Sequence, residues 1–295
     1  MPLRISIVIP NYNSGATLER AIRSVVDQGY PDLQLVVCDS ESTDNSREVI
    51  ERYRDRVANV VIRKDKGQAD GLNYGFALAD GDIFGWLCAD DELLPGSLAH
   101  AAEFFERRPD VDVLTGACER VYADGAPQLS APDPRVWENI GVQCVVEQSA
   151  TFWRAGLHRR VGPLDTSFHL CFDWDFWNRM KRAGARAGQT DRVMSRYYFS
   201  DTNKTGSAGT RFTREAFRVV RAYGPLGGML AYVFRFLYHQ FDLKGCYDRP
   251  PTCSLPRAHA FMWAMAVLRR TIGERLLYKY NWHFASCQER GLKWW

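Results

Sequence analysis

Apolar and polar positions repeat with two different periods over residues 4–62. Three short apolar runs, at 4–10, 33–38 and 57–62, are rich in β-branched residues and predict buried strands. Between them, 18–26 and 45–56 have the spacing and opening residues typical of helices. Strand, helix, strand, helix, strand is the order of a doubly wound α/β unit with a parallel sheet.

The same alternation continues to about residue 122. It predicts helices at 66–81 and 97–108, strands at 83–88, 111–118 and 119–122, and a hairpin turn at Asp124 and Gly125. Residues 126–140 contain three prolines and little pattern, which predicts a loop placed to cover a site, and 142–146 is again strand-like.

Two glycines, Gly71 and Gly75, lie inside the helix predicted at 66–81. Each costs about 1 kcal/mol relative to alanine in a helix interior, so something must approach this face closely. A ligand near Asp70 and Asn73 is one explanation. Packing of the helix on the sheet is the other.

The strand at 83–88 is followed by two adjacent carboxylates, Asp90 and Asp91. Ligands of open α/β sheets collect at the carboxyl ends of strands, and paired acids there can hold a metal ion with its phosphates. The alternative is a turn that caps the helix after Pro95 and Gly96. Both interpretations are open at this point.

Asp39 and the segment Pro10, Asn11 and Tyr12 also end or follow strands. Asp39 ends the second strand and can accept from an imide N–H or a ribose hydroxyl, while backbone near Pro10, Asn11 and Tyr12 can meet a base or a diphosphate. No glycine-rich dinucleotide fingerprint or P-loop is present, so any nucleotide must be held in another way.

A predicted helix beginning near Phe172 opens with Asp173 and Asp175, next to Trp174 and Trp177. An acid in the first turn of a helix interacts favourably with the positive end of the helix dipole, so one of these acids can have a purely structural role. The functional alternative is a sugar site, in which aromatic faces cover the sugar and a carboxylate accepts a hydroxyl proton.

Composition excludes some classes of protein. The net charge of +3 over 295 residues is too small to indicate nucleic-acid binding. The eight cysteines occur singly, without a C-x-x-C pair, which predicts reduced thiols in a cytosolic protein and no zinc site. The apolar run at the start is cut by Pro10, so we expect no signal peptide or anchor there.

Residues 211–295 differ from the rest, because apolar, aromatic segments at 227–241 and 258–268 replace the alternating pattern. Both are too short for a membrane span of about 20 residues. Residues 257–295 carry seven Lys or Arg, two Glu and four Trp, so the expected partner is either a membrane surface or another part of the protein, including a second subunit.

Taken together, the motifs over about residues 4–205 resemble the inverting, nucleotide-sugar-dependent glycosyltransferases of the GT-A fold that form family 2. The matching segments are SIVIPNYN at 6–13, LVVCDSESTDNS at 35–46, GQADGLNYGFALA at 67–79, WLCADD at 86–91, LPG at 94–96, QSATFWR at 148–154, VGPLD at 161–165 and DWDFW at 173–177.

The resemblance implies an α/β GT-A domain with a mostly parallel, Rossmann-like sheet. The expected catalytic domain is 1–210, with 1–118 binding the nucleotide sugar and 119–210 binding the acceptor. The apolar, basic pattern of 211–295 predicts a helical, aromatic-rich extension. The implied roles are donor contacts at Pro10, Asn11, Tyr12, Asp39, Asp70 and Asp90, a ligand for Mn²⁺ or Mg²⁺ at Asp91, acceptor contacts at Thr151, Trp153 and Trp174, and a catalytic base at Asp173.

Two positions depart from the family pattern. Cys88 replaces the first acid of the D-x-D region, and Ser200 aligns with a histidine that many relatives carry. The resemblance therefore implies a metal site in which Asp91 is the principal protein ligand and the nucleotide supplies much of the coordination.

The expected function is transfer of a sugar from a nucleoside diphosphate, UDP first, to a glycan or lipid-linked acceptor in surface polysaccharide assembly. Nucleotidyl transfer, and a non-catalytic protein that binds nucleotide sugars, are the alternatives. The expected location is the cytoplasm, with peripheral attachment at the inner face of the cell membrane or a homo-oligomer formed through 211–295.

Overall fold

The computed structural model describes residues 2–122, 125–142, 144, 146–199, 204, 209–224, 229, 232 and 255–272. The chain divides into two compact units. The first comprises Met1–Pro134 and Val145–Phe199, and the second comprises Arg135–Cys144 and Ser200–Trp295. The predicted division at residue 210 remains a prediction.

The strands of the first unit are β1 Ile5–Asn11, β2 Leu33–Asp39, β3 Asn59–Ile62, β4 Ile83–Trp86, β5 Glu92–Leu93, β6 Val113–Val121, β7 Pro127–Ser130, β8 Thr151–Arg154 and β9 Ala187–Tyr198. Its α-helices are α1 Gly15–Val26, α2 Ser46–Arg52, α3 Gln68–Leu78, α4 Ser97–Arg107, α6 Ala155–Val161 and α7 Phe172–Arg182. Short 3₁₀ turns occupy Arg54–Arg56 and Gln148–Ala150.

All nine of these strands join one sheet in the order β3-β2-β1-β4-β8-β6-β9-β5, with β7 paired to β6. β1 pairs in parallel with β2 and β4, and β2 pairs in parallel with β3. β8 runs antiparallel to both β4 and β6. The predicted doubly wound half is therefore confirmed, and the sheet as a whole is mixed instead of mostly parallel.

Burial on both faces explains why the first strands could be predicted. Every residue of β1 is buried, as is every residue of β4. α1 buries Leu18, Ala21, Ile22, Val25 and Val26. Their helical spacing in the sequence places them on one face of the helix. A strand covered on both faces has a continuous apolar sequence, which is the pattern that this part of the chain shows.

Several predicted boundaries are wrong in the middle of the chain. The two strands predicted at 111–118 and 119–122 form the single strand β6, because the charged residues Glu119 and Arg120 are ion-paired with Arg196 and Glu147. The predicted loop at 126–140 contains β7 and a short helix. Val142 lies in a turn, and Gln143 and Val145 lie outside the described residues, as does Asp124.

The second unit contains, among its described residues, α5 Val136–Asn139, α8 Gly209–Tyr223 and α9 Leu255–Ile272. α8 buries Ala216, Val219 and Val220 and exposes Arg211, Arg214, Arg218 and Arg221. The helix predicted at 258–268 lies within α9, and most of the segment predicted at 227–241 lies outside the described residues.

No helix in the described ranges combines the length and hydropathy that a membrane crossing requires.

An aromatic cluster joins β4, β8, α3, α6 and α7 in the first unit. Its rings belong to Phe76, Phe84, Trp86, Trp153, His158, Phe176 and Trp177. Trp86 and Trp177 stack with ring centroids 5.4 Å apart and planes 1° from parallel. This cluster attaches α7 to the strand that precedes the acidic pair.

Gly75 faces the sheet at a point where a side chain has no room. A Cβ there would overlap the side chain of Val8 and lie 3.0 Å from Cys38 Sγ. Helix-to-sheet packing, one of the two explanations left open by the sequence, therefore accounts for Gly75.

We expect Gly75→Ala to lower the free energy of unfolding by about 1–3 kcal/mol, because α3 must shift from the sheet. Gly156→Ala is the matched control, since Gly156 lies in α6 with open space around its Cβ position. Urea unfolding measures both variants. Equal stability of the two would contradict this packing.

The buried His158 predicts a specific loss of stability in acid. Burial lowers the pKa of His158 from 6.5 to about 4, and the ring accepts a hydrogen bond from Trp153 Nε1 at 3.4 Å. Because the unfolded chain binds the proton first, this contribution is complete above pH 6.5 and is lost as the pH falls through about 4. His158→Gln should flatten the pH dependence of unfolding in that window. An unchanged slope would contradict the prediction.

Candidate active site

The carboxyl ends of β2, β1 and β4 lie at one edge of the sheet, because the three strands are adjacent and parallel. β1 ends at Asn11, β2 ends at Asp39, and β4 leads into Cys88, Asp90 and Asp91. The topology thus brings together the polar positions that the sequence places after separate strands.

Asp39 and Asn11 form a buried hydrogen-bonded pair at this edge. Asp39 Oδ1 accepts from Asn11 Nδ2 at 2.6 Å and from Ser42 Oγ at 2.5 Å, and Oδ2 accepts from the Ser42 amide at 3.0 Å. Within the described part of the chain, Asn11 Oδ1 is buried without a hydrogen-bond partner. Tyr12 next to this pair is 64% exposed, whereas Pro10 is buried.

Cys88, Asp90 and Asp91 offer ligand atoms that all lie within 4.8 Å of one another. Asp91 is 1% exposed. Burial and then the neighbouring Asp90 raise the pKa of Asp91 well above its usual range, and burial also raises the pKa of Asp90. A hard divalent cation suits two carboxylates and compensates the cost of burying their charge, so the donor set fits Mg²⁺ or Mn²⁺.

Cys88 is held by two glutamines. Gln68 Nε2 donates to Cys88 Sγ at 3.2 Å, and Cys88 Sγ donates to Gln148 Oε1 at 3.5 Å. Gln148 Nε2 also donates to the Trp86 carbonyl at 2.7 Å. A neutral thiol in these contacts adds no charge to the acidic pair, so Asp90 and Asp91 remain the oxygen donors of the group.

Arg20 holds the turn that carries the acids. Its Nη2 donates to the Asp90 carbonyl at 2.8 Å, its Nε pairs with Glu92 Oε1 at 3.3 Å, and its guanidinium lies 3.9 Å from the ring centroid of Tyr198. The Tyr198 amide donates to Asp91 Oδ1 at 3.4 Å. The sequence gives no signal for this role, because the partners are distant along the chain.

Asp173 and Asp175 occupy the first turn of α7 but have different surroundings. Asp175 is buried and accepts from Arg179 Nε at 2.8 Å, which gives it a structural ion pair. Asp173 is half-buried, and its Oδ1 accepts from the Trp174 amide at 2.7 Å. Of the two acids, Asp173 is the one that has access to solvent.

Asp70 lies in the first turn of α3, where its Oδ2 accepts from the Lys66 amide at 3.0 Å and from Tyr74 Oη at 3.2 Å. Asp70 is half-buried, so part of its side chain is accessible to a ligand. The donor role predicted for Asp70 remains a prediction.

The structure does not place the predicted acceptor residues on an open surface. Trp153 is fully buried in the aromatic cluster, and Trp174 is 2% exposed. Thr151 is 1% exposed and donates to the Glu147 carbonyl at 2.7 Å. Burial assigns these side chains to the core. Ser200, the position aligned with a histidine, lies outside the described residues.

Comparison with known proteins agrees with this geometry. Residues 6–141 match the model of glycosyl transferase family 2. An uncharacterized glycosyltransferase of Nostoc sp. (strain PCC 7120) is 30% identical over 189 residues, which are 59% of this chain and 56% of that protein. The chain is therefore similar to this family over slightly less than half of its length. It spans only a little over half of the Nostoc protein's length.

Solved structures of glycosyltransferases share the fold. S. aureus TarS residues 1–349 in complex with UDP-GlcNAc superimposes with a TM-score of 0.62 at 17% identity, over 98% of this chain and 92% of that one. The mannosyltransferase PcManGT of Pyrobaculum calidifontis, in complex with GDP-Man and Mn²⁺, gives 0.58 at 19% identity, over 95% and 86%. The predicted GT-A fold is confirmed.

The name of a second relative states the pathway in which that relative acts. The PGL/p-HBAD biosynthesis glycosyltransferase of Mycobacterium bovis (strain BCG) is 28% identical over 179 residues, which are 58% of this chain and 67% of that protein.

Asp91→Asn should separate folding from cation binding. Because the amide carries no charge to desolvate, the thermal midpoint without metal should equal or exceed that of the wild type. The additional rise in midpoint with Mn²⁺ and UDP should disappear. Asp80→Asn, at an exposed acid paired with Arg4, is the control that should keep this rise. A full Mn²⁺ response in Asp91→Asn would contradict the assignment.

Proposed function

We propose that this protein is an inverting glycosyltransferase that moves a sugar from a nucleoside diphosphate to a glycan or lipid-linked acceptor. The observation that carries the proposal is the edge of the sheet at which Asn11, Asp39 and the Asp90–Asp91 pair meet. A GT-A sheet with paired acids at that edge suits a diphosphate and its cation.

In this proposal each end of the donor has its own contacts. Asp39 and Asn11, with Pro10 and Tyr12, bind the nucleoside, and Asp70 and Asp90 contact the ribose, diphosphate or sugar. Asp91 would hold Mn²⁺ or Mg²⁺, which would supply positive charge to neutralise the departing diphosphate.

Asp173 is the proposed catalytic base. It accepts the proton of the attacking hydroxyl while the acceptor oxygen bonds to the anomeric carbon and the bond to the diphosphate oxygen breaks. A carboxylate base in that position contributes about 10²- to 10⁴-fold to the rate. A single in-line displacement inverts the anomeric centre.

UDP is the first candidate for the nucleotide, supported by the UDP-GlcNAc complex of TarS. GDP is the second, because the mannosyltransferase neighbour binds GDP-Man. The Mycobacterium bovis relative, whose name states PGL/p-HBAD biosynthesis, supports a role in glycan biosynthesis.

We further propose that 211–295 attaches the enzyme peripherally to the inner face of the cell membrane. α9 supports this, because Trp263 is 72% exposed and Val267 is 40% exposed on a helix that carries exposed Arg270. An exposed tryptophan beside arginine is typical of interfacial helices. Sedimentation with anionic vesicles tests the proposal, and self-association without vesicle binding would favour a homo-oligomer instead.

The direct test is incubation with Mn²⁺ and a panel of UDP, GDP and dTDP sugars with candidate acceptors. We expect release of the nucleoside diphosphate and a product whose anomeric configuration is opposite to that of the donor. Release of pyrophosphate would indicate nucleotidyl transfer. Binding without turnover by any donor and acceptor tested would indicate a non-catalytic protein.

Asp173→Asn should lower the rate of transfer by about 10²- to 10⁴-fold and leave the affinity for UDP nearly unchanged. Asp175→Asn, two residues further along α7, is the control that should lower stability and keep transfer, because Asp175 pairs with Arg179. Steady-state kinetics and calorimetric titration with UDP measure the two effects. An equal loss of transfer and of UDP affinity in Asp173→Asn would make Asp173 a structural cap.

A further inference from the structure

Asn73, the sixth residue of α3, forms two hydrogen bonds with Leu164, which lies in a loop 91 residues away in sequence. Its Nδ2 donates to the Leu164 carbonyl at 2.9 Å, and the Leu164 amide donates to its Oδ1 at 2.9 Å. The side-chain amide thus satisfies both backbone groups of one residue, as a neighbouring strand would. Leu164 is 2% exposed, so these backbone groups have little access to water.

The loop that contains Leu164 comprises residues 162–171 and leads directly into α7. Leu164 precedes Asp173 by nine residues. Gly162 begins the loop with a φ of 81°. The loop carries little regular structure of its own, apart from the turn in which the Ser167 amide donates to Asp165 Oδ1 at 2.8 Å. Its position therefore depends on what holds it from outside.

The same two segments also approach each other at the start of α3. Gly67, the N-cap residue of α3, lies near His169, because a Cβ added to Gly67 would be 3.5 Å from His169 Nδ1. α3 thus meets the loop near both Leu164 and His169. The same helix carries Asp70, one turn before Asn73.

α3 is itself a fixed support. Gly75 lets the helix lie directly on β1, and Phe76 packs into the aromatic cluster at 5.6 Å from both Phe84 and Trp153. A side chain projecting from a helix held this way places its partner more accurately than a contact between two loops does.

We propose that Asn73 is a positioning residue for transfer, which sets the loop before α7 and thereby the placement of Asp173 relative to the donor. The inference rests on the proposed function. It assigns to α3 two tasks on adjacent turns, donor contact through Asp70 and placement of the base through Asn73.

The variants are Asn73→Ala, which removes both hydrogen bonds, and Asn73→Asp, which keeps the shape and the acceptor oxygen and loses the donor. Asn59→Ala is the matched control. Asn59 Oδ1 accepts from Gln34 Nε2 at 3.1 Å at the amino end of β3, three residues before Ile62, which pairs with Asp39 at the other end of the strand.

We expect both Asn73 variants to lower kcat by about 10- to 100-fold, because small misplacements of a catalytic group cost about that much. The Kd for UDP should change less than about twofold, since the donor contacts stay in place. Asn59→Ala should lose stability and keep kcat and Kd. A merely structural Asn73 would behave like Asn59.

Amide hydrogen exchange gives a readout that does not need turnover. In Asn73→Ala and Asn73→Asp, peptides covering 162–171 should exchange faster than in the wild type, while peptides covering β1 and β4 stay protected. Unchanged exchange at 162–171 in a folded variant would overturn the inference, as would a full kcat.

The two proposals fail in different ways. If the wild type neither binds UDP nor transfers a sugar, the proposed function fails. If the wild type transfers a sugar and Asn73→Asp transfers it equally fast, only the positioning role fails. If an Asn73 variant loses UDP affinity and kcat to the same extent, Asn73 maintains the donor site and does not position Asp173, which also overturns the inference.

Discussion

The stacking of Trp86 on Trp177 connects the two halves of the chemistry. Trp86 lies in β4, which leads into Asp90 and Asp91, and Trp177 lies in α7, which begins next to Asp173. Their parallel contact is one part of a cluster in which seven aromatic or imidazole rings each lie within 5.4 Å of a neighbour. An aromatic pair adds only about 0.5–1.5 kcal/mol beyond burial, but the cluster fixes the helix on the strand. The position of the proposed base is therefore tied to the position of the acids.

Electrostatics impose a second constraint on the same strand. Asp91 is buried beside Asp90, so its charged form is expensive unless a cation is present. Arg20 donates to the carbonyl of Asp90 and pairs with Glu92, which keeps the turn in place, and its charge lowers the pKa of Asp91 less than burial and Asp90 raise it. Cys88 stands where some relatives have an acid, and it contacts the neutral side chains of Gln68 and Gln148. This arrangement suits a site completed by a cation and a diphosphate together.

The parts of the fold that the sequence predicts are those whose pattern is local. β1, β2 and β4 are buried on both faces, which requires continuous apolar runs in their sequences. The helices that pack on them bury one stripe, which requires apolar residues at helical spacing. β9 escapes prediction because residues such as Thr190, Asp191 and Arg192 are polar, and its pairing partners in β6 and β5 are remote in sequence. The continuity of β6 also escapes prediction, because Glu119 and Arg120 are charged and their ion-pair partners Arg196 and Glu147 are remote in sequence.

The candidate site divides in the same way. Asp39, Asp90, Asp91 and Asp173 follow strands or open a helix, so the resemblance finds them. The resemblance implies acceptor contacts at Trp153 and Trp174, but in the structure both side chains are buried, Trp153 within the aromatic cluster. Arg20, Asn73 and Gln148 act on partners 70, 91 and 62 residues away, and such contacts leave no local pattern.

A crystal structure with UDP and Mn²⁺ tests the central claim most directly. The account predicts the uracil against Asp39 and Asn11, the cation on Asp91 and the diphosphate oxygens, and the Asp173 carboxylate facing the space beyond the β-phosphate. Nucleotide bound at another edge of the sheet, or a cation that does not touch Asp91, would contradict it.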